Sequence, residues 1–332
     1  MAPLDGAPTP RLRTVFFGSG SFAVPMLDSL VRRSEIEIVG VITPPDGRVG
    51  RTGTLTPVPV AMAARSALLP LLQVQRVRST DSIEAIRELA PDLGVLADFG
   101  QLIPQSVIDL PAHGIINIHP SLLPRHRGAT PIPATILAGD SEAGVTIMQM
   151  DAGLDTGPII TARSWSVTGT EDAPGLEAQA ADVGAALLDE VITMLLAGPL
   201  PSSPQDPALA TLTRPLRRVD GRLDPGKAAL GLERQVRALR PWPGTFVEAG
   251  GLRLVIHDSA VAGAAAGDRP GRIVAHEDGI ALTTSDGRLI LATVQPAGGR
   301  SMLGAELRRG RPSIVGAAVA DAASPTGSGT DV

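Results

Sequence analysis

RTVFFGSGSFAVPMLDSLVRRSEIEIVGVIT, residues 13–43, decides the fold. Arg13 to Phe17 is a β-branched and aromatic run ending at Gly18, which reads as a strand. Phe22 to Arg33 carries apolar residues at helical spacing, and Glu37 to Thr43 (EIVGVIT) reads as a second strand. Strand, glycine turn, helix and strand make a βαβ unit, the building block of a parallel sheet covered on both faces. The turn itself, Gly18-Ser19-Gly20-Ser21-Phe22-Ala23, fits the dinucleotide pattern G-x-G-x-x-A. The second strand ends in Thr43-Pro44-Pro45 instead of the acid that would bind a ribose, so a tight strand-to-helix turn explains it equally well.

The same alternation continues outward. Pro44 to Pro59 is a loop rich in Gly, Pro and Thr; Ser82 to Leu89 is helical; Leu93 to Ala97, Gly114 to His119 and Val145 to Asp151 read as strands; and Leu176 to Leu196 is a long helical stretch. The expected fold class is therefore α/β, with a Rossmann-like, mostly parallel sheet. Four prolines in GPLPSSPQDP, residues 198–207, stop the last helix and mark a linker. Beyond it, Gly251 to Asp258, Gly271 to His276, Ile280 to Thr284 and Arg288 to Val294 are short alternating strands between turns, the pattern of a small antiparallel barrel or sandwich. The expected layout is a first domain over 1–198, a linker over 199–212, a second domain over 213–315 and a disordered tail over 316–332.

Composition bounds the function. With 332 residues, 43% apolar and 19% charged, the chain suits two packed globular domains. It has no cysteine, which excludes disulfides, cysteine-held zinc and a thiol nucleophile. No apolar run reaches membrane-spanning length: the nearest, Val183 to Ala197, is broken by Asp189 and Glu190, so a cytoplasmic enzyme is the default expectation. The net charge of −5 is uneven, with a balance of −9 over residues 1–211 and +6 over 212–312. A basic second module suits contact with an anion, although a solvated arginine face would give the same numbers.

The densest chemistry lies in GIINIHPSLLPRHRGATPIPATILAGDSEAGVTIMQMDAGLDTGPII, residues 114–160. Asn117 and His119 alternate on one side of a strand end, and Asp155 sits in the turn LDTG after the next strand. Ligands of open α/β sheets bind outside the carboxyl ends of strands. An amide to bind an oxyanion, an imidazole to move a proton and a carboxylate to orient it make an acyl-transfer site without a nucleophile. Read one by one, each could be an ordinary satisfied loop polar. His126, between Arg125 and Arg127, reads as solvent-facing; His113, His257 and His276 read as surface or core, and no histidine has metal-ligand spacing.

The run Asn117-Ile118-His119-Pro120-Ser121-Leu122-Leu123-Pro124, with Asp155 in LDTG, resembles the signature of the 10-formyltetrahydrofolate-dependent formyltransferases. The resemblance extends through RHRGATP (125–131), AGDSEAGVTIMQMDAGLD (138–155), RPWP (240–243) and VQPAGGRSM (294–302), from about Thr14 to about Pro312. It implies that Asn117, His119 and Asp155 are the catalytic trio and that the donor is 10-formyltetrahydrofolate. Ser121, Leu122, Leu123 and Pro124 would then border the folate, together with Phe99, Gln101 and Leu102 of FGQLIP (99–104). It further implies an OB-like C-terminal barrel that grips initiator methionyl-tRNA, a monomeric protein and no metal. Arg48 and Arg51 in the 44–59 loop, and Arg214, Arg217 and Arg218 before the barrel, would meet the tRNA phosphates. Two other functions stay open at this point. An amino-sugar nucleotide could be the formyl acceptor, and the GSGSFA loop could serve a nicotinamide-dependent oxidoreductase. A non-catalytic RNA-binding module would leave the acidic first two-thirds without a role.

Overall fold

The computed structural model describes residues 11–49 and 53–320. The chain divides into two compact units. The first comprises residues through Pro131 with Glu142–Ser166 and Leu176–Arg214; the second comprises Ile132–Ser141, Val167–Gly175 and the chain from Pro215.

In chain order the elements up to residue 128 are β1 (Leu12–Gly18), α1 (Val24–Val31), β2 (Ile36–Thr43), β3 (Gly47–Val49), β4 (Thr54–Thr56), α2 (Pro59–Ser66), β5 (Leu71–Gln73), α3 (Thr80–Glu88), β6 (Leu93–Ala97), α4 (Gln105–Ile108), β7 (Ile115–His119) and β8 (Arg127–Gly128). They are followed by α5 (Pro131–Ala138), β9 (Glu142–Gln149), β10 (Ile159–Ser166), α6 (Ala173–Ala197) and β11 (Leu212–Thr213). Seven of these strands form one sheet in the order β10-β9-β7-β6-β1-β2-β5. The five from β7 to β5 are parallel, and β9 and β10 are antiparallel additions. The mostly parallel sheet expected from the alternating pattern is therefore present. Val15, Phe16 and Phe17 of β1 and every residue of β6 and β7 are buried, as strands sandwiched between helices must be. Phe17 meets Phe99 edge to face at 5.6 Å, joining β1 to the segment after β6.

The sheet order reverses direction between β1 and β6, so the loops leaving these two strands open side by side: Gly18 pairs with Ala97. That is where ligands of such sheets bind, with the end of β7 next along. In α6 the two acids that interrupt its apolar run lie on the surface: Asp189 pairs with Arg33 at 2.7 Å, and Glu190 with Arg163 at 2.8 Å. Among the described residues no helix is long and apolar enough to cross a membrane.

The 44–59 segment is more ordered than its composition suggests. Gly47–Val49 and Thr54–Thr56 pair as a two-stranded hairpin, and α2 already begins at Pro59, a residue suited to a first helical turn.

The second unit contains α7 (Ala229–Ala238), β12 (Thr245–Ala249), β13 (Leu252–Gly263), β14 (Ile273–His276), β15 (Gly279–Thr283), β16 (Gly287–Pro296), β17 (Met302–Leu303) and α8 (Gly304–Gly310). Its sheet runs β12-β13-β16-β15-β14, with β17 beside β16, all antiparallel. Leu254, Ile256, Ile273, Leu289 and Leu291 point into its core, together with Leu232 and Val236 of α7.

The tail expected over 316–332 is corrected in part. Residues 321–332 lie outside the described residues, whereas Gly316 to Ala320 are hydrogen-bonded into the sheet. On one side Gly316 N donates to Ile273 O at 2.7 Å and Val319 N to Gly271 O at 2.8 Å; on the other Ala320 N donates to Glu248 O at 2.8 Å. The segment thus bridges β14 to β12, the two outer strands, and closes the sheet into a barrel. The apolar AAVA run looks too weak to order itself, but it needs only to complete pairings that both edges already offer, and Val319 enters the core at 8% exposure.

Candidate active site

Asn117 and His119 stand at the carboxyl end of β7 and both are buried, at 5% exposure each. Asp155 lies in the turn between β9 and β10. The three come together as the strand period and the turn position predict. Asn117 Nδ2 donates to Asp155 Oδ1 at 3.3 Å, and His119 Nδ1 lies 3.7 Å from Asp155 Oδ2. That second separation is too long for a direct hydrogen bond and within ion-pair range.

The other imidazole nitrogen fixes the tautomer. His119 Nε2 lies 3.0 Å from the carbonyl oxygen of His126. A carbonyl only accepts, so Nε2 carries a hydrogen and Nδ1 is the nitrogen that gains and loses a proton, beside the carboxylate. Asp155 Oδ2 also accepts from Gly128 N at 2.7 Å, so the carboxylate is held by a backbone amide and a side-chain amide at once.

Asp155 adopts φ 53, in the left-handed region that a non-glycine residue occupies only when its surroundings require it. The turn is pressed against the end of β9. A Cβ built on Gly157 would sit 1.8 Å from the Gln149 carbonyl oxygen, so only glycine fits there. Gln205 Nε2 donates to Asp155 O at 2.9 Å and to Gly157 O at 2.7 Å, closing the turn from the other side.

The loop after β7 is tied down equally. Thr146 Oγ1 donates to Ser121 O at 2.7 Å and accepts from Leu123 N at 3.1 Å, and Ser121 Oγ donates to Arg125 O at 2.7 Å. Residues 203–213, read from sequence as part of a free spacer, are stitched along this loop. Ser203 pairs with Ile159, Thr211 N donates to Pro124 O, and β11 pairs in parallel with β8.

Several expected side-chain roles are corrected. His126 is not solvent-facing: it is 7% exposed at φ 57, its N–H donates to Thr211 Oγ1 at 2.8 Å, and its carbonyl anchors His119. Phe99, Ser121 and Leu123 are 3%, 1% and 8% exposed, so as they stand they present no surface to a folate. Gln101 is spent on the protein, accepting from Val77 N at 2.9 Å. Leu102 is 77% exposed, and Leu122 and Pro124 are half-buried, so any folate contact from these segments falls to them. Arg214, Arg217 and Arg218 are exposed; Arg48 is described only as backbone in β3, and Arg51 lies outside the described residues. Sequence reasoning missed Gln205, Thr211 and the His126 carbonyl. Only the PQDP run within 198–207 marked any of them, and its prolines pointed to a spacer.

The glycine-rich loop holds a protein carboxylate where a nucleotide phosphate would bind. Ser19 N and Oγ both donate to Asp98 O, at 2.9 and 2.5 Å, and the Gly20 amide donates to the Asp98 carboxylate. A Cβ on Gly20 would lie 1.8 Å from Asp98 Oδ2. The inward amides are therefore taken, and the loop is a strand-to-helix turn without a phosphate cradle. Ser21 Oγ donates to Glu177 at 2.8 Å, which sets a second carboxylate close by.

Desolvation and then the charge of Glu177 raise Asp98 to about 6, against the lowering effect of the Gly20 amide. An acid with a raised folded pKa penalises the fold once it ionises. The penalty is absent below about pH 4 and grows as pH rises to about 6. Asp98→Asn is accordingly expected to match the parent's melting temperature at pH 4 and to exceed it above pH 6. The gain is about 1 kcal/mol, below the full value of the shift, because the Asp98 carboxylate is desolvated where it packs against Gly20 while the residue keeps a solvent-exposed face. Thermal melts of both proteins across pH 4–8 test this, and a constant offset would remove the carboxyl as its cause.

Comparison with known proteins agrees with this geometry. The family model described as formyl transferase matches residues 12–192, and the model described as formyl transferase, C-terminal domain, matches residues 215–312. The methionyl-tRNA formyltransferase of Geobacter sulfurreducens is 39% identical over 90% of this chain and 94% of its own length. That of Chloroflexus aggregans is 41% identical over 89% and 96%. Among solved structures, an N-formyltransferase from Helicobacter canadensis in complex with folinic acid and dTDP-3-aminofucose superposes with a TM-score of 0.64, at 16% identity over 84% of this chain and 98% of its own. HypX from Aquifex aeolicus in complex with tetrahydrofolic acid gives 0.61, at 17% identity over 90% and 47%. At such identities the structural likeness speaks to the fold alone.

Proposed function

Because the chain belongs to the formyl transferase family over both its amino-terminal and carboxyl-terminal parts, we propose that it transfers a formyl group from 10-formyltetrahydrofolate to the α-amino group of methionine on initiator tRNA. The observation that carries this reading is identity near 40% with methionyl-tRNA formyltransferases along nearly the whole chain, second unit included. In this reading residues 1–198 supply the chemistry and 213–315 grip the tRNA, with Arg48, Arg51, Arg214, Arg217 and Arg218 meeting phosphates.

The chemistry follows from the site. The neutral amine attacks the formyl carbon, and negative charge develops on the formyl oxygen. The Asn117 amide and the Nδ1–H of imidazolium His119 stabilise that oxygen, as preorganised donors do in other acyl transfers. Asp155, fixed by the Gly128 N–H, sets a carboxylate 3.7 Å from His119 and takes the proton released by the amine. The bond from the formyl carbon to the folate nitrogen then breaks, and that nitrogen receives a proton. The products are the formylated amine and tetrahydrofolate. No covalent enzyme intermediate is required.

The direct test is formyl transfer from 10-formyltetrahydrofolate to methionine-charged initiator tRNA, run beside an amino-sugar nucleotide as competing acceptor. Turnover on the tRNA alone is the expected result, and turnover on the sugar nucleotide alone would overturn the assignment of the acceptor.

A further inference from the structure

We infer that Gln205, in the proline-rich stretch that follows α6, is a positioning residue of the catalytic turn, acting through Asp155. Between Pro201 and Leu209 every other residue is exposed, and Gln205 alone is turned inward. Its carboxamide makes four hydrogen bonds to nitrogen and oxygen partners, with Met148 Sδ a longer 3.8 Å from Nε2. Oε1 accepts from Arg127 Nε at 3.0 Å and Nη2 at 2.7 Å; Nε2 donates to Asp155 O at 2.9 Å and Gly157 O at 2.7 Å. The partners dictate the orientation of the amide. A guanidinium only donates and a carbonyl only accepts, so the oxygen must face Arg127 and the nitrogen must face the turn. Arg127 is itself 7% exposed and cannot swing away into solvent.

One of those carbonyls belongs to Asp155 itself, whose carboxylate serves Asn117, His119 and Gly128, and the other to Gly157 two residues on. Asp155 is held at φ 53, a conformation with little preference of its own, and Gly157 has no space to relax toward β9. Gln205 therefore supplies the outer half of a clamp whose inner half is the Gln149 carbonyl. Without it the turn keeps its sequence and loses its aim. The 3.7 Å gap between His119 and Asp155 is the dimension this clamp sets. The segment 203–213 is in this sense part of the active site, reaching it from about 50 residues downstream of Asp155. The inference rests on the catalytic trio proposed above.

Two variants separate aim from stability. Gln205→Glu keeps the shape and the acceptor toward Arg127 but turns an acceptor against two carbonyls. Gln205→Ala removes the outer half of the clamp, losing the bonds to Arg127 and to the turn together. Each is expected to lower kcat for tRNA formylation by about 10- to 100-fold, the scale of an ångström-level misplacement. The KM values for folate and tRNA should stay within about twofold. The imidazole resonance of His119, assigned from its disappearance in His119→Asn, should shift in both variants without any substrate present, while the far-ultraviolet spectrum and the melting transition remain cooperative.

Unchanged kcat in Gln205→Glu together with an unshifted His119 resonance overturns the inference. So does a loss of activity that merely tracks a fall in melting temperature equally in both variants. Failure of the wild-type protein to formylate tRNA would overturn the acceptor assignment instead, and the substrate-free resonance would still decide the role of Gln205.

Discussion

Asn117→Ala, His119→Ala and Asp155→Ala should each lower kcat for formyl transfer by about 10²–10³-fold while leaving the KM for tRNA within a few-fold. The reason is geometric. All three groups converge on one small volume at the end of β7, and in the proposed mechanism they act on charge that exists only in the transition state. Asp155→Ala has the widest reach, because it also strips an acceptor from Gly128 N and from the Asn117 amide. Asp155→Asn keeps the volume but removes the negative charge beside His119 and the acceptor proposed for the amine proton, so it should remain nearly as slow. The double variant His119→Ala/Asp155→Ala is expected to be little worse than the slower single one, since the two groups work as a unit. Single-turnover rates with saturating folate and tRNA check these values. Losses that multiply in the double variant would show that the two residues act independently, and the proposed mechanism would fail.

The second large effect concerns the barrel seam. Val319 is 8% exposed in the core of the second unit, on the segment that joins β12 to β14. Val319→Asp should destabilise that unit by about 3 kcal/mol or more, because it buries a carboxylate among the Leu and Ile side chains of the core. The outer strands would then be left as open edges, so aggregation should accompany the loss of structure. Folate binding to the first unit is expected to survive, which makes the variant a test of how separable the two units are. Chemical denaturation followed at the two units, with folate binding measured in parallel, reads both effects. Unaltered stability would mean that the seam contributes nothing to the barrel.

Much of this was legible because buried parallel strands announce themselves. RTVFF, EIVGVIT and GIINIH are continuous apolar runs that no surface strand can afford, and each lies in the sheet where expected. Asn117 and His119 were legible for the same reason, since alternation along a strand fixes which residues share a side. What escaped was short or depended on distant partners. β5 has only three residues, and β10 alternates half-buried with exposed positions at the sheet edge, so neither has a strong pattern. Gln205 acts only through Arg127, 78 positions away, and through a turn about 50 positions away. His126 contributes a backbone carbonyl, for which side-chain identity is no guide. Phe99 and Ser121 were expected to line a folate, but their side chains serve the core and the loop, which a linear motif does not reveal.

The seam also sets an order in time. The first unit's chain is finished at Arg214, whereas the second cannot close until Val319 has been added. At ordinary rates of synthesis the stretch from β12 to the seam takes roughly 4–15 s. During that interval β12, bridged on its outer side at Phe246, and β14, once it is made, lack their seam partner and can pair with whatever strand arrives first. Five small residues at the seam, Gly316 to Ala320, turn that exposed ribbon into a sealed cylinder.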